Sequence, residues 1–402
     1  MTYRELFVLL IFGIFANSCG LNLNAPDDGN NGTDPDTTAF FRNATASNLP
    51  DGLSETSMKA KTGDIDNDGD LDLVVGLELQ ANKILINQGS GSFTDESSSR
   101  LPAQNFDTQD VTVADLNSDG NLDLFFASNQ NQTNELFINN GNGSFSDLSN
   151  RIPVTGNSSS VESRDIDGDG STDILIGNIG QNVILMNSGN AFFNNQTTQR
   201  LPQIVDPTRD IEFGDITGNS VPDIIVGNEN ANRILINTGS GFFNDQTSNR
   251  LIFINAIEET QDVNLVDVDS DSDLDIYFGN SGFQDGSDPQ DRLLINNGQG
   301  FFSDQTADRL PSIITNTFDA EFADLDDDQD VDLIVGNYNG GIRVLINNGN
   351  GFFTNQTNAW IPENFTPLVT DLEVADFNND DQPDIYISVR NGQDQLLLQR
   401  EE

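Results

Sequence analysis

The chain has no histidine, one cysteine and one tryptophan in 402 residues. No disulfide framework and no Cys/His zinc site can form from such a set. Basic residues are scarce as well: 17 Lys and Arg stand against 65 Asp and Glu, for a formal charge of −48. Phosphates would be repelled, so nucleic acid is excluded as a partner. Helical periodicity is missing throughout. Long apolar runs are missing too, apart from Leu6–Phe15, which is too short to span a bilayer stably.

That run follows Arg4 and precedes Cys19, the layout of a secretory signal. Ala16-Asn17-Ser18-Cys19 resembles a bacterial lipobox, which implies lipidation of Cys19; Asn17 and the lack of a leucine at the first position depart from it. A plain secretory signal is the alternative. Residues 1–19 therefore read as the signal, and 20–38, rich in Asn, Asp, Gly, Pro and Thr, as a flexible tether. The expected location is the outer membrane or cell surface, touching membrane only through the lipid, or else secreted.

What the chain has is aspartate in phase. Seven nine-residue runs open and close on aspartate: 64–72, 115–123, 165–173, 215–223, 267–275, 324–332 and 376–384. They carry 29 of the 50 aspartates, so the acid is concentrated rather than spread over a disordered chain. Position 1 holds Asp64, Asp115, Asp165, Asp215, Asp267, Asp324 and Asp376. Position 3 holds Asp66, Asn117, Asp167, Thr217, Asp269, Asp326 and Asn378. Position 5 holds Asp68, Asp119, Asp169, Asn219, Asp271, Asp328 and Asp380. Position 9 holds Asp72, Asp123, Asp173, Asp223, Asp275, Asp332 and Asp384. Position 7 (Asp70, Asn121, Ser171, Val221, Asp273, Asp330 and Gln382) would offer its backbone carbonyl.

Hard oxygen donors at this density suit Ca²⁺, which takes six to eight oxygens. Up to seven ions are expected, with the fourth loop weakest because only Asp215 and Asp223 are charged there. Full occupancy would bring the formal charge to about −34. An EF-hand would need a glutamate at position 12 and flanking helices. Val75, Phe126, Ile176, Val226, Phe278, Val335 and Ile387 stand there instead. Metal-free acidic turns are the alternative, since Asp and Asn favour turns anyway. Glycine eases the turn at position 6 in the first three loops, whereas Ser220, Ser272, Gln329 and Asp381 replace it in the others.

Each run lies among four short strand signals; in the second repeat these are 110–114, 122–127, 134–139 and 144–147. Four antiparallel strands repeated around an axis make a β-propeller, here all-β with seven blades over 39–402. The last repeat stops at Glu402 without its GxGFF strand, while Phe40–Thr45 matches that strand at the other end. The N-terminus is thus expected to close the ring. The loops resemble the DxDxDGxxD loop of the FG-GAP repeat in integrin α-subunit propellers, and are similar to VCBS-type repeats of bacterial surface proteins.

Metal loops and GxG turns would share one face. The connections from strand two to three and between repeats would share the other, including the insertion Ser281–Asp291. Variable loops on a repetitive scaffold are where specificity resides; in integrins the resembling face binds the partner. Two polar rows precede the loops: Lys59, Asp110, Ser160, Asp210, Asp262, Asp319 and Asp371, then Lys61, Thr112, Glu162, Glu212, Asn264, Glu321 and Glu373. They read as a solvated channel lining with inter-blade hydrogen bonds, or as a site for a cation or cationic group. Arg100, Arg151, Arg200, Arg250 and Arg309 recur at one position, taken by Trp360 and Asn48 in the last two repeats, and read as structural. Trp360 reads as core, with stacking on a sugar as the alternative. No catalytic constellation stands out. The chain reads as a monomeric binding or adhesion module for a protein or glycan on the face opposite the metal loops. The rivals are a polysaccharide lyase-type enzyme and a lectin.

Overall fold

The structure, a computed structural model, describes residues 39–130, 132–251, 258–283, 289–312 and 314–400. The signal, Cys19, the tether and the centre of the fifth-repeat insertion lie outside the described residues. In the second repeat the strands are Thr108–Ala114, Asp123–Ser128, Glu135–Asn139 and Phe145–Asp147, paired antiparallel in chain order. The second strand is buried along its whole length, which is why it reads as a continuous apolar run.

Among the described residues, hydrogen bonding produces five four-stranded antiparallel sheets and one eight-stranded sheet. The larger one joins the third and fourth repeats where Ile179 and Gly180 pair with Pro207 and Asp206. The last repeat has three strands of its own. Its fourth is Phe41–Asn43, antiparallel to Gln395–Gln399 with Phe41 opposite Gln399. This is the partner expected from the Phe40–Thr45 match, though the strand is shorter.

The core lies between sheets, with a buried apolar cluster at each junction. Ile65, Val74, Ile84, Val111, Leu124 and Phe137 fill the junction of the first two repeats. Leu49, Leu53, Leu73, Leu85, Tyr386 and Leu396 fill that of the last with the first. Neighbouring sheets approach closely at a strand-two glycine: a Cβ on Gly76 would lie 2.7 Å from Thr108 Cγ2. Larger side chains there would push the next repeat outward.

One recurring element was not anticipated from sequence: a single helical turn after strand four, as at Thr197–Arg200. The Asn-Gln-Thr triplets explain it. Thr197 N donates to Asn195 Oδ1 (3.0 Å), and Thr197 Oγ1 accepts from Ile184 N (3.1 Å). Asp245 with Thr247 and Asp304 with Thr306 repeat the arrangement. These triplets are Asx turns that satisfy backbone groups at the sheet edge.

Candidate metal centres and the acidic inner strands

All seven acidic loops share one backbone path. Positions 4 and 6 are left-handed in each, whether glycine or not; Gly69 has φ +98 and Gln329 φ +74. The position-1 carboxylate shapes the turn. Asp64 accepts from Asp68 N (3.0 Å) and Gly69 N (3.1 Å), and Asp324 accepts likewise from Asp328 N and Gln329 N. Position 5 accepts from position 7, as in Asp68 Oδ1 with Asp70 N (3.0 Å). Position 7 side chains reach towards the GxG turn, where Asp70 lies beside Gly89.

Position 9 has a structural task besides any ligand role. Asp72 is fully buried and accepts from Ile65 N (3.0 Å) and Asn87 N (2.8 Å), tying the loop to strand three. Asp123, Asp173, Asp332 and Asp384 do the same. Burial pushes the Asp72 carboxyl up to about 7; the two N–H donors pull it down and Asp66 and Asp68 push it up again.

An asparagine closing strand three was missed in the sequence. Asn139 Nδ2 donates to Leu122 O (3.1 Å) in its own repeat and to Ile65 O (2.9 Å) in the preceding metal loop. Asn87, Asn187, Asn296, Asn347 and Gln399 make the same inter-repeat stitch. The available signal was the recurring Leu-Ile-Asn ending.

Position 3 is where the loops differ. Arg100 donates to Asp66 Oδ2 (2.9 Å) and to Asn142 O (3.0 Å) of the next repeat. Arg200 with Asp167 and Arg309 with Asp269 repeat this. Where position 3 is Thr217, Arg250 holds only the Gln299 and Gly300 carbonyls across the seam. Among the described residues no arginine meets Asp326, because Trp360 occupies the seam; Trp360 is 3% exposed and stacks on Phe40 at 4.5 Å. Trp360 is therefore core, and the sugar-stacking alternative falls with its burial. Tyr277 and Tyr386 are buried as well.

Six overlapping spans, 64–126, 115–176, 165–226, 215–278, 267–335 and 324–387, match the model of the FG-GAP-like repeat. The chain belongs to the FG-GAP-like repeat family. Similar solved structures include BBS1N in complex with ARL6DN, with TM-score 0.59 and 12% identity over 90% of this chain and 98% of that one. Another is the extracellular domain of the putative hybrid two component system BT4673 from B. thetaiotaomicron. It has TM-score 0.55 and 12% identity, covering 90% of this chain and 40% of that one. At these identities the likeness concerns the fold, a β-propeller of FG-GAP repeats. No curated protein matches the sequence.

Several aspartate clusters of this FG-GAP propeller could hold a metal ion. Carboxylate oxygens of Asp64, Asp66 and Asp72 lie within 4.8 Å of one another. So do those of Asp165, Asp167 and Asp173, of Asp267, Asp269 and Asp271, and of Asp324, Asp326 and Asp332. A second observation fits the group. Oδ1 of Asp66, Asn117, Asp167, Asp269 and Asn378, all at position 3, is buried without a hydrogen-bond partner. A buried orphan acceptor is costly unless a cation meets it. Arginine holds Oδ2 of Asp66, Asp167 and Asp269, leaving Oδ1 to the loop interior.

The inner strands hold a second acidic system. The expected inter-blade hydrogen bonds are present: Asp110, Asp262, Asp319 and Asp371 are buried and most serve as rungs between repeats, whereas Lys61, Glu162, Glu212 and Glu321 keep part of their surface exposed. Val161 N donates to Asp110 (2.7 Å), Val263 N to Asp210 (2.9 Å), Leu372 N to Asp319 (3.0 Å) and Ala60 N to Asp371 (2.8 Å). The chain supplies the cationic group itself. Lys59 Nζ lies 2.6 Å from Asp319 and 2.8 Å from Asp371, and Lys61 lies 3.5 Å from Glu373. Burial pushes Asp371 and Glu321 up to about 8, Glu212 to about 7 and Asp210 to about 6.

Proposed function

We propose that this FG-GAP propeller is a ring of seven blades, closed by the N-terminal strand and stabilised by Ca²⁺ in its outer loops. It acts as an exported binding or adhesion module for a protein or glycan ligand. The observation that carries the reading is a division of labour between faces. On the metal-loop face, asparagines and arginines stitch each repeat to the next. On the other face the connections differ in length and chemistry from repeat to repeat. The oxygen-only donor sets favour Ca²⁺ over softer ions. Ring closure is supported by Thr62 N and Ala60 N of the first repeat donating to Glu373 and Asp371 of the last. Export, with Cys19 as a lipid anchor, rests on the N-terminal sequence, and a monomer is the expected state.

The test of function is binding. The purified propeller, in Ca²⁺, is screened against oligosaccharide and extracellular-protein arrays, alongside an assay for unsaturated lyase products. Selective binding without turnover is expected, whereas turnover of a polysaccharide would replace this reading with an enzymatic one. The test of closure is truncation. Removing 20–38 should leave the melt unchanged, whereas removing 20–50 also removes buried Phe41 and Leu49. At roughly 1.5–3 kcal/mol per buried side chain, the longer truncation should melt far lower or aggregate.

A further inference from the structure

On the face opposite the metal loops, the residue six before the opening aspartate sits at the bulge of strand one and meets the residue following or ending strand two, and the chemistry of the two varies between repeats. In the fourth repeat the pair is Arg209 and Glu229, an ion pair. In the fifth it is Gln261 and Ser281, hydrogen-bonded at 3.0 Å. In the sixth it is Phe318 and Tyr338, stacked with centroids 5.0 Å apart at 27°. Phe283, from the fifth repeat, stands edge-on to both at 5.9 and 5.2 Å. All three rings are only half-buried. Arg390 of the seventh repeat lies over Tyr338 at 5.5 Å.

Two polar groups on this cluster are uncommitted. Among the described residues, Arg390 makes no ion pair, in a chain where acids outnumber bases 65 to 17. The Tyr338 hydroxyl makes no hydrogen bond among them either. Leu368, whose carbonyl accepts from Arg390 N at 2.9 Å, is 41% exposed. Exposed rings carrying free donors at their edge suit a ligand with one apolar face and a polar rim.

We infer that Phe318, Tyr338 and Arg390 form a single carbohydrate-binding site for a neutral pyranose. The C–H face of the sugar would stack on the rings, and its hydroxyls would take hydrogen bonds from Arg390 and Tyr338. Three rings bury about 450–750 Å² between them, less than the roughly 800 Å² per side of a stable protein interface, so the patch suits a small ligand better than a protein. Charge argues against an acidic sugar. Glu259 accepts from Phe283 N at 2.9 Å, placing a carboxylate beside the rings, within a screening length of about 8 Å, in a chain of formal charge −48. The site rests on the binding-module reading and narrows it to one ligand class and one place.

The full-length protein in Ca²⁺ is titrated against an array of neutral and uronate-bearing oligosaccharides. Neutral glycans should bind. Tyr338→Ala should weaken them at least tenfold, Arg390→Ala about fivefold, and Tyr338→Phe less than either. Glu229→Gln, at the same register in the fourth repeat, should change nothing. Tyr338→Phe keeps the ring, so it still reports on the site if the alanine variant misfolds. Glycan binding that survives Tyr338→Ala in a folded protein overturns the site and leaves the binding module standing. A preference for uronates, or binding of proteins alone, overturns the ligand class. Binding of nothing on any array overturns both readings.

Discussion

Two acidic systems in one propeller solve the same problem differently. The outer loops gather carboxylates at the rim, and the inner strands gather them at the centre. At the centre the chain provides its own counter-charge, with Lys59 between Asp319 and Asp371 and Lys61 beside Glu373. At the rim the counter-charge is partial. Arginine meets one oxygen of Asp66, Asp167 and Asp269 and leaves the other orphaned. The centre thus relieves its charge with two lysines and with carboxyls pushed up towards neutrality, whereas the rim leaves a buried acceptor orphaned in several loops. Like charges confined together raise one another's cost of ionisation, and either protons or cations relieve it.

The sharpest way to break the comparison is chelation. A site held at tenfold its Kd contributes about 1.4 kcal/mol, so four four-carboxylate loops together contribute on the order of 5 kcal/mol. EGTA should lower the melting temperature markedly. Ca²⁺ should restore it, and Mg²⁺, which demands near-octahedral geometry, should restore it poorly. An unchanged melt after verified metal removal would remove the distinction between rim and centre.

Lys59→Met attacks the centre instead. It strips the partner from Asp371, which is fully buried, and from Asp319, and breaking such a pair costs about 3 kcal/mol or more. Calcium should not rescue it. Acid should, because raised carboxyl pKa values favour the folded state only while the groups are protonated. For Asp210 at about 6, Glu212 at about 7 and Asp371 at about 8, stability is highest below the unfolded carboxylate range. It falls as pH rises through those values. In saturating Ca²⁺ the melting temperature of the parent should therefore decline from pH about 6 to about 8, and that of Lys59→Met should decline more steeply. Equal slopes would mean that Lys59 does not govern the inner carboxylates.

Within the rim, the sixth loop is the informative one. Burial and Asp328 push the Asp326 carboxyl up, and no arginine offsets them. Asp326→Ala should destabilise in Ca²⁺ by about 1.4 kcal/mol through the lost site, yet stabilise slightly in EGTA by relieving repulsion. Asp66→Ala, which also loses Arg100, should destabilise in both. Thr217→Ala in the fourth loop should shift little in either. Melts of the three variants with and without calcium check the ordering; the same sign for Asp326→Ala in both would undo it.

Most of the repeat was legible because it is written many times. Strand positions, the loop register and the pairing of Phe41–Asn43 with the last repeat all follow from in-phase matches. The seam partners were less legible, since Asn139 to Ile65 and Arg100 to Asp66 span 74 and 34 residues and join different elements. Their recurrence showed that they mattered without showing what they touch. The Asx turns were not legible because an Asn-x-Thr or Asp-x-Thr spacing carries no mark of the backbone groups it meets. The inner rows were placed on strand one, but their burial depends on how closely neighbouring repeats approach, and that is set by side chains such as Thr108 against Gly76. The Phe318 and Tyr338 pair was invisible for a further reason: it joins two strands at a bulge, where the register shifts.

The smallest effect tests whether the loop turns form without a bound ion. Position 6 is left-handed in all seven loops, a conformation that costs a side-chain-bearing residue about 1 kcal/mol and glycine little. Gln329 adopts φ +74 there. Gln329→Gly removes that strain but frees the unfolded chain, so the net gain should be a few tenths to about 1 kcal/mol. The reverse change, Gly69→Ala, meets no neighbour within 4 Å, so its cost is the backbone's alone. Because Asp64 and Asp324 already hold the turn through backbone N–H groups, both shifts should be the same in Ca²⁺ and in EGTA. A shift seen only with calcium would mean that the ion folds the loop, and that the carboxylate at position 1 serves the metal before it serves the turn.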